Sequence, residues 1–248
     1  MALQIPLEIQ ERLAEHLDWM KITPERVLDL GYGAGLANPL LEAAYPRAWH
    51  LALDLNPHCL PRPRRWNPLK FLGPSPINGI AGRAEAIPLQ NSSVDLVHSN
   101  LLLPCVDAPA MIREVARILK PGGLFLWSSL GPDSFRELRA LGMEFKPFMD
   151  MHDLGDLMLE CGLSNPVVNR EDLVFTYGDR ETLRQDLTGW GWEYYLEAHP
   201  DVAHWHHALE GLKGELNLSL EALFGHAWKP LPPKGLEGKR VIPITAPR

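Results

Sequence analysis

Val27-Leu28-Asp29-Leu30-Gly31-Tyr32-Gly33-Ala34-Gly35 decides how the rest of the chain is read. A short apolar strand carrying an acid, Asp29, runs into a loop with glycine at every second position. Glycine tolerates positive φ and has no Cβ, so backbone can lie directly against a ligand there. Leu36 to Tyr45 is apolar and alanine-rich, the make-up of a helix that follows such a strand. Strand, glycine loop and helix in that order place a nucleotide-type site at the first crossover of an α/β sheet. The next strand supports the reading. Trp49-His50-Leu51-Ala52-Leu53 runs into Asp54, 19 residues after Gly35. An acid at that place accepts hydrogen bonds from both hydroxyls of a ribose.

Spacing narrows the ligand. The dinucleotide fingerprint has glycine or alanine at its sixth position, where this chain has Leu36. A Walker phosphate loop needs Gly-Lys-Ser/Thr, which is missing. The Gly-x-Gly-x-Gly form is similar to that of methyltransferases that use S-adenosyl-L-methionine (SAM).

Composition sets the outer bounds. The 248 residues suit one domain, and 46% hydrophobic residues suffice for a full core. A net charge of -7 disfavours a nucleic-acid partner. The basic cluster Arg62, Arg64 and Arg65 lies between prolines and reads as a solvated loop. Cys59, Cys105 and Cys161 form no metal or disulfide framework and fit a reducing cytosol, so a cytoplasmic location is expected. No run of about 18 apolar residues predicts a membrane span. Glu8 and Glu11 stand where an export signal would be basic and then apolar.

Further along, Leu7 to Met20 has helical spacing of its apolar residues, and residues 57–76 are proline-rich, so a helix after the second strand is broken or short. Strands are expected over Ile77–Ala81, Val94–Ser99 and Leu124–Leu130, with a helix over Pro109–Leu119. Asp133 is read as the cap of a helix through Leu141, and Met151 to Cys161 as a helix closed by Gly162. Val167–Tyr177 reads as extended, Arg180–Gly214 as helical and Leu218–Trp228 as a last strand. Strands alternating with helices imply a doubly wound parallel sheet.

Three further segments carry a resemblance. Gly82-Arg83-Ala84-Glu85-Ala86-Ile87-Pro88-Leu89, Val94-Asp95-Leu96-Val97-His98-Ser99-Asn100-Leu101 and Leu119-Lys120-Pro121-Gly122-Gly123 resemble class I SAM-dependent methyltransferases. "SNLLL", "SSLGPDSFRELR", "FKPFMDMHDLGDLMLECGL" and "LFGHAWKP" look more narrowly like the BioC group, the malonyl-acyl-carrier-protein O-methyltransferases of biotin synthesis. The resemblance spans roughly residues 26–230. It implies an α/β, Rossmann-like, doubly wound and mostly parallel seven-stranded sheet. It also implies a single domain over 1–248, with a helical lid inserted at 178–214. S-adenosyl-L-methionine is the implied cofactor. Asp29 would face its amine, with the backbone of Gly31, Gly33 and Gly35 under the methionine and ribose. Asp54 would hold the ribose, with Leu55 beside the adenine. Ala84 and Glu85 would lie at the adenine edge and Asn100 near the methyl-transfer centre. The implied acceptor is a small or acyl-carrier-protein-bound acid. Arg180 or Arg184 would pair with its carboxylate and Trp190 would form part of an apolar wall. No catalytic acid or base is assigned. A carboxylate acceptor is already ionised at neutral pH, so alignment of oxygen, methyl carbon and sulfur is the main requirement.

The chain departs from that pattern in four places. Arg83 stands where relatives have an acid that accepts from the adenine amine, and arginine cannot accept. The aromatic N-terminal segment of the family is incomplete. In Leu183-Arg184-Gln185-Asp186-Leu187-Thr188-Gly189-Trp190-Gly191-Trp192, Gln185 and Thr188 replace a basic pair. Pro104-Cys105 replaces the family's Gln-Trp. These departures keep two other readings open: a degenerate methyltransferase-fold binding protein, and a non-methylating relative such as an assembly-factor hydroxylase. His199, His204, His206 and His207 read as a solvated or lid-surface cluster rather than a metal site, because one helical face does not hold them all. Trp190, Trp192, Tyr194 and Tyr195 read equally as core or as a pocket wall, and Cys105 as a buried structural thiol.

Overall fold

The structure, a computed structural model, describes residues 3–61, 77–197, 210 and 216–232. Seven strands form one sheet: β1 (Arg26–Leu30), β2 (Trp49–Asp54), β3 (Asn78–Ala81), β4 (Val94–Ser99), β5 (Leu119–Leu130), β6 (Ser164–Tyr177) and β7 (Leu216–Trp228). Their order is β3-β2-β1-β4-β5-β7-β6. All pairings from β3 to β5 are parallel. β7 runs antiparallel between β5 and β6. Winding reverses between β1 and β4, so the crevice where ligands bind in such sheets opens at their carboxyl ends.

The helices are α1 (Gln4–Glu15), α2 (Asn38–Ala44), α3 (Ala108–Ile118), α4 (Arg136–Ala140), α5 (Met151–Glu160) and α6 (Arg180–Trp190). β1 is buried on both faces, as a central parallel strand should be. Val27 and Leu96 face the core that contains Ile5, Ile9 and Leu13 of α1. Leu28, Leu30 and Val97 face the core that contains Met111, Ile112 and Val115 of α3. α3 starts as its sequence suggests: the Asp107 carboxylate accepts from the Ala110 amide at 3.0 Å, and proline stands in the first turn. α5 is capped by Asp150, which accepts from His152 at 2.7 Å.

Some boundaries differ from the sequence reading. α1 begins at Gln4 and gives way to a 3-10 turn over His16–Trp19. β5 takes in Pro121-Gly122-Gly123 and starts at Leu119. Asp133 does not cap α4. Phe135 occupies the N-cap with φ +62°, and Asp133 instead pairs with Arg170 at 3.3 Å. The helix expected over Arg180–Gly214 stops at Trp190, where Gly191 takes φ +79° and lets the chain turn. A 3-10 turn, Trp192–Tyr195, follows. Residues 198–209 and 211–214 of that segment, and the loop holding Arg62, Arg64 and Arg65, lie outside the described residues. Among the described residues no helix is long and apolar enough to cross a membrane.

Candidate functional site

The glycine loop folds as its sequence requires. Gly31, Gly33 and Gly35 have φ of +82°, +50° and +73°. A Cβ on Gly31 would meet the Leu102 side chain at 2.9 Å, and one on Gly35 the Tyr32 hydroxyl at 2.6 Å. Gly33 is different: its nearest neighbour would be the Gly31 carbonyl at 3.9 Å. The space over Gly33 is therefore open to a ligand. Tyr32 is folded back so that its hydroxyl accepts from Asn38 Nδ2 at 2.6 Å. Burial and the nearby Asp29 charge push its pKa up.

Asp54, at the carboxyl end of β2, is tied to this loop. Its Oδ2 accepts from the Gly33 amide and its Oδ1 from the Asn56 amide, both at 2.8 Å. A carboxylate has about four acceptor positions, so capacity remains for two adjacent hydroxyls. Leu55 beside it is 68% exposed, an apolar surface that a flat base would cover. Ala84 is buried on the neighbouring segment. α3 holds that segment in place: Glu114 accepts from the Ile87 amide at 2.7 Å, and Arg117 donates to the Ile87 and Leu89 carbonyls. The Arg117 hydrogen bond keeps the Glu114 carboxyl below its ordinary range, with the Ile87 amide adding to it. Arg83 turns to Glu85, with Nη2 to Oε1 at 3.3 Å, so the residue expected to accept from the adenine edge already has a cation on one oxygen.

Asp29 lies 4% exposed inside β1. His98, at the matching register of β4, bonds its Oδ1 at 3.1 Å. Its Oδ2 is buried without a partner among the described residues. A buried carboxylate oxygen left unpaired is costly unless a donor arrives. The site thus supplies an acid for an ammonium, an acid for vicinal hydroxyls, bare backbone between them and an apolar surface for a base. S-adenosyl-L-methionine carries those four groups, and the residues fit it.

Beyond β4 the chain turns sharply through Leu101, which has φ +57°. Asn100 donates to the Pro6 carbonyl of α1 at 3.1 Å and accepts from Ser128 at 2.6 Å. Its amide therefore ties α1 to the ends of β4 and β5. Tyr195 donates to the Leu101 carbonyl at 2.7 Å. Around it, Phe135, Phe145, Phe148 and Trp190 form an aromatic cluster with centroid separations from 4.5 to 6.4 Å. Trp190 packs within this cluster against the core, whereas Tyr194 is 68% exposed. Cys105 sits nearby with its thiol pushed up to about 11, mainly by burial.

The cations fall differently from expectation. Arg184 is engaged by Glu181 in its own helix, and Arg180 also has a partner. Two cations that the sequence reading did not single out stand at the aromatic cluster. The Arg139 guanidinium lies over Phe145 and Phe148, 5.0 and 5.6 Å from the ring centroids. Burial lowers its pKa. Lys146 donates to the Tyr194 carbonyl at 2.7 Å. Neither pairs with a carboxylate among the described residues. The signal in the sequence is weak: "SFRELR" holds Arg136 and Arg139, and nothing in the motif says which faces the aromatics. His199, His204, His206 and His207 lie outside the described residues.

Comparison with known proteins adds the lineage. A family model described as "Methyltransferase domain" matches residues 28–127, the span from the first glycine-loop strand into β5. Among curated proteins, the malonyl-[acyl-carrier protein] O-methyltransferase of Gallionella capsiferriformans is 34% identical, covering 95% of this chain and 87% of its own. The protein of that name from a Methylovorus species is 33% identical over 90% and 81%. The crystal structure of the YcgJ protein from Bacillus subtilis shares the fold, with a TM-score of 0.60 at 17% identity, covering 89% of this chain and 98% of its own.

Proposed function

The chain belongs to the family of malonyl-[acyl-carrier protein] O-methyltransferases, SAM-dependent enzymes, and from that premise we propose that it methylates the free carboxylate of a carrier-bound malonyl group. Asp29 Oδ2 receives the cofactor's ammonium, Gly33 and its neighbours run beneath the methionine and ribose, and Asp54 accepts from the ribose hydroxyls. Leu55 and Ala84 flank the adenine. The cofactor supplies an electrophilic methyl on sulfur. The protein's part is alignment and exclusion of water, since the acceptor oxygen is already an anion and no proton has to be removed.

The observation that carries the acceptor class is that Arg139 and Lys146, beside the aromatic cluster, have no carboxylate partner among the described residues. Arginine presents a planar fork that matches a carboxylate, and the two rings beneath it hold the guanidinium in place. Arg139 takes over the role that sequence position suggested for Arg180 or Arg184. Methyl transfer from labelled SAM to malonyl-carrier protein tests the reading. The expected result is a base-labile methyl ester on the malonyl group, with acetyl-carrier protein inert. Cofactor binding without ester formation on any malonyl thioester would remove the malonyl assignment and leave the fold's methyltransferase chemistry intact.

A further inference from the structure

One histidine sits where no acceptor reaches and no surface begins. His98 is fully buried on β4, between Asp29 of β1 and Gln10 of α1. Its Nδ1 is 3.1 Å from Asp29 Oδ1, and its Nε2 is 3.1 Å from Gln10 Nε2. Both contacts fit one tautomer. An ionised carboxylate only accepts, so Nδ1 carries a proton. An amide nitrogen only donates, so Nε2 is bare. With the Gln10 amide in this orientation, the ring presents Nδ1–H to Asp29 and a bare Nε2 to Gln10. Gln10 Oε1, in the same buried space, has no partner among the described residues, where the amide's bond is the one to His98. At the other end of the chain of bonds stands Asp29 Oδ2, buried and without a partner among the described residues.

We propose that His98 is a positioning residue for the cofactor's amino group: its Nδ1–H fixes the Asp29 carboxylate on Oδ1 and leaves Oδ2 to receive the ammonium, while Gln10 holds the tautomer that makes this bond. The proposal rests on the SAM assignment made above. It gives α1 a role beyond packing. The helix is itself anchored at two further points, through Asn100 to the Pro6 carbonyl and through Asp186 to the Gln4 and Ile5 amides. Docking of α1 thus reaches the cofactor acid through one side chain.

Two ligands separate positioning from packing. S-adenosylhomocysteine carries the amino acid end, and 5′-methylthioadenosine shares its adenosine and thioether but lacks that end. Two substitutions separate the two nitrogens. Asparagine at 98 places its amide nitrogen near the position of Nδ1, and glutamine places it near that of Nε2. His98→Gln is expected to weaken S-adenosylhomocysteine binding about tenfold or more, the worth of a hydrogen bond to a charged group. Methylthioadenosine binding is expected to stay at the wild-type value, and His98→Asn to retain both affinities. In the unmodified protein, long-range proton–nitrogen spectra of the histidine rings are expected to show His98 protonated at Nδ1 only. An Nε2-protonated ring overturns the proposal whatever the variants do. So does His98→Gln that binds S-adenosylhomocysteine like wild type, or variants that lose both ligands alike. If the wild-type protein binds neither ligand, the SAM assignment itself falls, and the role of His98 falls with it.

Discussion

Gly33 differs from the glycines on either side of it, and the difference predicts how each tolerates a side chain. At Gly31 and Gly35 a methyl group collides with Leu102 or Tyr32, so alanine damages the loop itself. At Gly33 there is room, and alanine meets only the positive φ of +50°, a strain of about 1 kcal/mol. Gly33→Ala should therefore fold with a small loss of melting temperature and yet lose most of its affinity for S-adenosylhomocysteine, because the methyl group occupies the ligand's space. Thermal unfolding and calorimetry on the same preparation read both. Cys105 allows a second test at this scale. With its pKa pushed up to about 11, only about one thiol in a thousand is ionised at pH 8. Iodoacetamide at that pH should leave Cys105 unlabelled in the native protein, and peptide mapping checks it. The candidate acids Asp29 and Asp54 were legible in sequence because they follow fixed spacings from a glycine loop. Arg139 and Lys146 were not, since what distinguishes them is the absence of a carboxylate partner, a property of three-dimensional surroundings.

At the scale of elements, the joint between α1 and α6 was invisible in the sequence. Asp186 is fully buried. It accepts from the Gln4 amide at 2.7 Å, the Ile5 amide at 3.3 Å and the Tyr177 hydroxyl at 2.6 Å. The first two amides are orphans of the helix N-terminus, where a negative charge is also favoured by the helix dipole. A cap normally comes from the preceding residues; here it comes from a helix 181 and 182 residues later, so no local pattern announces it. Asp186→Leu should cost about 3 kcal/mol, since it strands two amides and a buried hydroxyl. Tyr177→Phe, which removes one donor, should cost about 1 kcal/mol. Chemical denaturation of both variants measures this, and equal losses would show that the carboxylate does not serve α1. β7 makes a comparable case. Gly225 has no room for a Cβ, which would stand 2.2 Å from the Trp127 ring. Gly225→Ala is expected to destabilise by about 2 kcal/mol through overpacking, with no change in cofactor affinity per folded molecule. Periodicity did reveal most of the elements. It failed at α6, where continued helical spacing past Trp190 concealed the turn that Gly191 makes.

For the molecule as a whole, acid sensitivity should begin with two histidines. His16, at the end of α1, and His226, on β7, both have lowered pKa values, chiefly through burial, with His16 adding to the effect on His226. A histidine kept neutral in the fold contributes stability that is present above its unfolded pKa of about 6.5 and is lost as pH falls below it, because the unfolded chain then binds the extra proton. The melting temperature should therefore fall between pH 7.5 and 5.5, and His226→Gln should flatten that slope. Glu114 and Glu137, whose pKa values are lowered, act only in a more acid window, as pH falls below their ordinary carboxylate range. The same whole-molecule view explains why the fold was legible and the aromatic cluster was not. Parallel strands, their glycine loop and their acids obey local rules of spacing and burial, whereas the aromatic cluster gathers Phe135, Phe145, Phe148, Trp190 and Tyr195 from segments that meet only after folding. The account stands on a cofactor held by Asp29, Gly33 and Asp54 at the carboxyl ends of β1 and β2. The most direct test is calorimetric titration of S-adenosyl-L-methionine into the wild-type protein and into Asp54→Ala. The account predicts a single site in the wild type, with affinity about tenfold or more weaker in the variant. No binding to the wild type, or equal binding to both, would contradict it.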